Sequence, residues 1–252
     1  MDIKYNYLIN DSKDNFPDDF NVDERIDPDS CSKELYDDII SVFFSQTEDV
    51  INWEQQNKLN PKFYTIKYSK DILLSSDYIG PSVFWAREVG ISEETIRKFL
   101  KSARTIGGHI VWQRGSNLKY KVNTARGGSS GVYDRFDWTL LLLKIYLCMN
   151  IKKKDTFLNQ SNELLPNENR NNKNVNDKFA KMYYAFENSS WLKTYTFKNF
   201  CTKFKLYGNF VDSQYDVVEM APLFPILPKD YKLYIDNVCR SIDIRNAMIS
   251  KI

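Results

Sequence analysis

Thr105-Ile106-Gly107-Gly108-His109-Ile110-Val111-Trp112-Gln113-Arg114-Gly115, then Asn123-Thr124-Ala125-Arg126-Gly127-Gly128, then Tyr133-Asp134-Arg135-Phe136-Asp137, is the stretch on which the fold turns. Thr105 to Trp112 is short, β-branched and aromatic, which predicts a strand. Gly115-Ser116-Asn117 supplies a turn, and Leu118 to Val122 can return as an antiparallel hairpin partner. After the loop Gly127-Gly128-Ser129-Ser130-Gly131, the segment Asp134 to Met149 carries apolar residues on every side of a helix. Such a helix is central and buried. The expectation is an α+β fold, with a small antiparallel sheet or hairpin packed against that helix and several aromatic-rich helices.

Working outward, Ser92 followed by Glu93 and Glu94 starts a helix that buries Ile96, Phe99 and Leu100 and stops before Gly107. Residues 62–75 alternate well enough for one or two strands. A further helix begins near Asp29 or Ser30 and buries Leu35, Ile39, Val42 and Phe43. Residues 1–29 are acidic with scattered anchors and read as a partly ordered arm. Residues 150–176 are rich in Asn, Lys and Glu, with few anchors beyond Phe157, Leu164 and Leu165, and read as a flexible surface loop. Helical spacing resumes with Phe179, Met182, Tyr183 and Phe186, and again with Phe197, Phe200, Cys201 and Phe204. Tyr215 to Met220 is an expected strand, and a last helix runs from about Lys229. With aromatic segments on both sides of the loop, 1–252 reads as one domain.

Composition narrows the class. Hydrophobic residues at 42% and charged residues at 27% exclude disorder of the whole chain, and 16 Phe, 16 Tyr and 5 Trp predict a core built on rings. No apolar run is long enough to span a membrane. Met1 to Tyr5 has neither a basic nor an apolar leader region, which points to a cytoplasmic protein. Cys31, Cys148, Cys201 and Cys239 are isolated, and with a single histidine in the chain no zinc site is expected. Cys148 and Cys201 sit among apolar neighbours and read as packing.

Charge is unevenly placed. Residues 1–50 carry 14 acidic and 4 basic side chains, whereas residues 95–133 carry 8 basic side chains and no acidic one. Either the basic stretch meets an external anion, or the acidic arm covers it.

The candidate chemistry falls in 105–137. A Gly-rich loop feeding a helix start offers backbone N–H groups and a positive dipole end to an anion. Arg126 before Gly127 and Gly128, and Arg135 after them, could fork onto phosphate or carboxylate oxygens. The glycines match neither a Walker loop nor a dinucleotide fingerprint. The competing reading is structural. Asp134 and Asp137 cap the same helix, and Arg135 pairs with one of them. His109 is a candidate acid/base near neutral pH, with Asn123 placed to orient it. Arg114 stands at the hairpin tip, facing solvent. Asp134 and Asp137 could also pair on a metal, but only Asp216 and Glu219 offer later ligands, so no metal is assigned.

The Gly-Gly strand, the Asn123-Thr124-Ala125-Arg126-Gly127 run and the Asp134-Arg135-Phe136-Asp137 run before an apolar helix resemble an uncharacterised bacterial domain-of-unknown-function family. The resemblance extends more loosely from about Asp27 to the C-terminus, and family members carry Pro where Gln113 stands. It implies a place without a reaction. The expectation is a cytosolic protein binding a phosphorylated small molecule or a nucleic acid at 105–137. Lys/Asn/Ile-rich composition suggests an AT-rich bacterial genome or mobile element, a setting that fits a phage-defence or toxin role. The rivals are an enzyme acting on a nucleotide through His109, and an interaction or structural module with no ligand site. No cofactor and no oligomeric state follow from the sequence.

Overall fold

The computed structural model describes residues 32–44, 52–56, 63–69, 72–80, 83–114, 121–126, 135–148, 153–170, 172–223 and 227–251. Helix α1 (Lys33–Phe43) starts at Ser32, whose hydroxyl accepts the Leu35 N–H at 3.0 Å. Strands β1 (Asn52–Gln56), β2 (Phe63–Ser69) and β3 (Ile72–Tyr78) follow, then α2 (Val83–Glu88), α3 (Glu93–Ala103) and β4 (His109–Arg114). The four strands pair in chain order, all antiparallel, with a register shift between Lys67 and Ser69. Six helices complete the described chain: α4 (Val122–Arg126), α5 (Phe136–Cys148), α6 (Lys154–Asn162), α7 (Lys173–Glu187), α8 (Phe197–Lys203) and α9 (Pro228–Ile249). This is the expected α+β class, and no described helix is long and apolar enough to cross a membrane.

Several elements follow the sequence closely. Ser92 caps α3 by accepting the Thr95 N–H, and Ile96, Phe99 and Leu100 are buried on its inner face. Phe179, Met182, Tyr183 and Phe186 are buried on α7, as are Phe197, Phe200 and Cys201 on α8. Rings do fill the core. Trp112 of β4 stacks on Phe200 at 5.6 Å between centroids, and Trp138 of α5 meets Phe179 at 5.4 Å. Strand β4 is covered on both faces, with His109 through Gln113 all buried.

Other expectations are corrected. The described partner of β4 is β3, with Tyr78 opposite His109 and Leu73 opposite Arg114. Leu118–Tyr120 lie outside the described residues, and Val122 opens a helix instead of closing a hairpin. Residues 150–176, read as a loop, contain α6 and the start of α7. Phe157 and Leu165, two of the few anchors there, are 0% and 2% exposed, which is enough apolar burial to order the segment. Tyr215–Met220 forms only an isolated bridge between Val211 and Val217. Helix α5 is not buried all round, since Leu141, Ile145 and Leu147 are half-buried, and Cys148 at its end is exposed while Cys201 is buried. The acidic arm 1–29 and the helix starts at Asp29 and Ser30 lie outside the described residues.

The Gly107-Gly108 pair has a packing cause. A Cβ on Gly108 would stand 2.0 Å from the Ala103 carbonyl oxygen, and one on Gly107 would stand 2.5 Å from Asn246 Oδ1 and 2.8 Å from the Ile242 carbonyl oxygen. Only glycine lets this turn press into the angle between α3 and α9.

Candidate functional site

The turn that leads into β4 is gripped by α9. Asn246 Oδ1 accepts the Gly107 N–H at 2.7 Å, and its Nδ2 donates to Thr105 Oγ1 at 2.8 Å. Arg245 is fully buried and donates to the carbonyls of Gly107 and His109, each at 2.7 Å, and of Phe204 at 2.9 Å. No carboxylate is among these partners, and burial brings its guanidinium down to about 9. Three backbone oxygens hold this cation where a counter-ion would be expected.

His109 lies inside this frame and is 0% exposed. Its Nδ1 is 2.8 Å from the Thr105 carbonyl oxygen, so Nδ1 carries the proton in the neutral ring. Asn123, its expected partner, is instead exposed on α4, where Oδ1 accepts the Thr124 N–H at 2.8 Å. The two side chains are not bonded to each other.

Arg126, at the end of α4, turns inward. Its Nη1 donates to Asp77 Oδ2 on β3, its Nε donates to Thr139 Oγ1 on α5 at 3.0 Å, and the guanidinium lies 5.7 Å from the Phe136 ring centre. Asp77 Oδ2 also accepts Trp112 Nε1 at 3.1 Å. One carboxylate therefore ties α4 and β4 to β3.

Arg135 is buried as deeply. Nε and Nη2 donate to the two oxygens of Asp137 at 3.1 and 2.5 Å, while Nη2 and Nη1 reach the carbonyls of Ala221 and Pro222 at 2.5 and 2.8 Å. Asp137 in turn accepts the N–H groups of Trp138 at 2.9 Å and Met220 at 3.1 Å. Burial alone would lower the Arg135 pKa. The Asp137 carboxylate outweighs it, and the net shift is upward. The Phe136 N–H goes to Tyr234 Oη at 2.8 Å. The Phe136 and Trp138 donors at the start of α5 thus already have protein acceptors.

The basic stretch divides by depth. Arg104 and Arg126 are buried, Arg114 and Lys121 half-buried, and Arg97, Lys98 and Lys101 exposed on α3. Arg104 lies 4.4 Å from the centre of the Tyr78 ring. Arg114 ends β4 opposite Leu73 instead of standing at a free hairpin tip. Gly127, Gly128 and Asp134 lie outside the described residues. Asp77, Thr139, Tyr234, Arg245 and Asn246 complete the network, and sequence reasoning missed all five. None stands in a motif; Thr139 lies on α5 just past Asp137, and the other four are brought in by β3 and α9.

The profile of the family of unknown function DUF6994 matches residues 2–165. The match begins earlier than the resemblance drawn from the motifs, and it ends before α7, α8 and α9. No curated protein and no solved structure matches. The chain belongs to this family.

Proposed function

We propose that the chain is a non-catalytic interaction module, in which Thr105–His109, Arg126, Arg135 and Asp137 belong to internal polar networks. One observation carries this reading. Arg126 and Arg135, the two groups suited to fork onto an anion, are buried and neutralised by Asp77 and Asp137. A buried guanidinium already paired and hydrogen-bonded gains little from a second anion and would lose its partner to take one. The depth of His109 supports the same reading against an enzyme, because a general base must reach the substrate proton directly or through one water. A cytosolic setting fits the buried thiols Cys201 and Cys239, which are free and pushed up to about 12 by burial.

A phosphorylated small molecule or a nucleic acid is the second reading. Its support now comes from the exposed Arg97, Lys98 and Lys101 on the outer side of α3 instead of the buried arginines. One experiment separates the two. Thermal shift of wild type and Arg126→Ala is measured with nucleotides, RNA and single-stranded DNA. The interaction reading expects a destabilised variant and no shift from any member of the panel. Any member of the panel that stabilises wild type would overturn it, and loss of that shift when Arg97, Lys98 and Lys101 are changed to Ala would place the site on α3.

A further inference from the structure

Helix α9 is 22 residues long, and its inner side is occupied by Tyr234, Val238, Ile242 and their neighbours. Its outer side carries Leu233 and Ile244, 45% and 41% exposed, two of the five large apolar side chains exposed among the described residues. Eleven residues separate them. At 3.6 residues per turn that is three turns, so they stand on one line along the helix. Isolated exposed leucines need no cause. The charges around this pair are what suggest an occupant.

Lys232 and Asp236 lie beside Leu233, and Arg240 and Asp243 lie beside Ile244. Lys232 pairs with Asp236 along the helix at 3.0 Å, side chains that are 58% and 37% exposed. Arg240 is exposed and makes no ion pair among the described residues. Among the described residues, Asp243 accepts the Ser102 hydroxyl, at 3.1 Å, and makes no ion pair. Laid against itself in the antiparallel sense, with Leu233 opposite Ile244 of a second copy, the helix brings Arg240 beside Asp236 of that copy. The same placement brings Asp243 beside its Lys232. Laid parallel, each charge would meet its own kind. The pattern is self-complementary in one orientation only, which is the requirement of a two-fold interface.

We propose that the outer face of α9 is a self-association surface whose partner is a second copy of this chain, packed antiparallel about a two-fold axis between Val238 and Cys239. This rests on the interaction reading and names its partner. Both apolar side chains would be covered, and Arg240 would gain a carboxylate that it lacks among the described residues.

Sedimentation of the full chain, at concentrations rising to about 1 mM, the weak end of specific association, tests it. The expected result is a monomer–dimer equilibrium that Leu233→Glu and Ile244→Glu each weaken about tenfold or more, with unchanged melting temperature. Arg240→Glu weakens it about threefold, and adding Asp236→Arg to Arg240→Glu restores it. A chain that stays monomeric throughout, or a dimer indifferent to these variants, overturns the proposal. Either result leaves the interaction reading to be judged by the ligand panel.

Discussion

Arg135 holds Asp137, two residues further on, through both its Nε and its Nη2, at a point where the two side chains are 1% and 0% exposed. The pair sits at the start of α5 and is roofed by the carbonyls of Ala221 and Pro222. It thereby links the helix start to a segment more than 80 residues away. Removing the carboxylate with Asp137→Ala leaves a buried cation without its counter-charge and strips the Met220 N–H of its acceptor. A loss of about 3–5 kcal/mol is expected, read from urea unfolding. Near-neutral stability in that variant would mean the pair is dispensable to the fold.

Asp77 should couple to Arg126 and Trp112 together. In double-mutant cycles, Asp77→Asn with Arg126→Met and Asp77→Asn with Trp112→Phe should each show non-additivity of about 0.5–3 kcal/mol. Additive losses would show that β3 and α4 are joined by packing alone.

Depth along α5 should decide tolerance to charge. Leu143 is 0% exposed, whereas Leu141 is half-buried. Leu143→Asp should abolish soluble expression, because an unpaired carboxylate would enter the apolar layer. Leu141→Asp should stay soluble and melt cooperatively at a lower temperature. Equal damage from both would mean that the outer side of α5 is as buried as its inner one.

The 150–176 segment gives a direct test of helix against loop. Phe157 is fully buried and meets Tyr183 at 5.5 Å between ring centres. Phe157→Ala should cost about 3–5 kcal/mol, whereas a solvated loop would lose almost nothing.

Alkaline pH should weaken the protein through Tyr234. Burial raises its phenol well above the ordinary 10.0. Above that pH the unfolded chain releases a proton that the native one keeps, so this contribution is full below pH 10 and is lost as pH rises toward the folded value. Tyr234→Phe should flatten that decline in urea-unfolding stability from pH 9 to 11. It should also lower stability at pH 7 by about 1–3 kcal/mol, because the Phe136 N–H loses its acceptor. An unchanged slope would place the alkaline sensitivity elsewhere.

The sequence by itself determined the fold class, the helices with strong spacing, and the cap at Ser92. It did so because burial periodicity and capping are local, readable within a few residues. Within the marked stretch, Arg126, Arg135 and Asp137 are all buried, Arg126 paired with Asp77 and Arg135 with Asp137. The helix in 150–176 was missed because an Asn-rich composition hides the two or three residues that do the packing. Only the tertiary structure decided what the marked residues do. Asp77 reaches Arg126 across 49 positions, Ala221 reaches Arg135 across 86, and Arg245 reaches Gly107 across 138. A guanidinium waiting for a phosphate and one already neutralised by its own chain have the same local sequence. Burial and the arrival of a distant carboxylate distinguish them, and neither is written in the neighbouring residues.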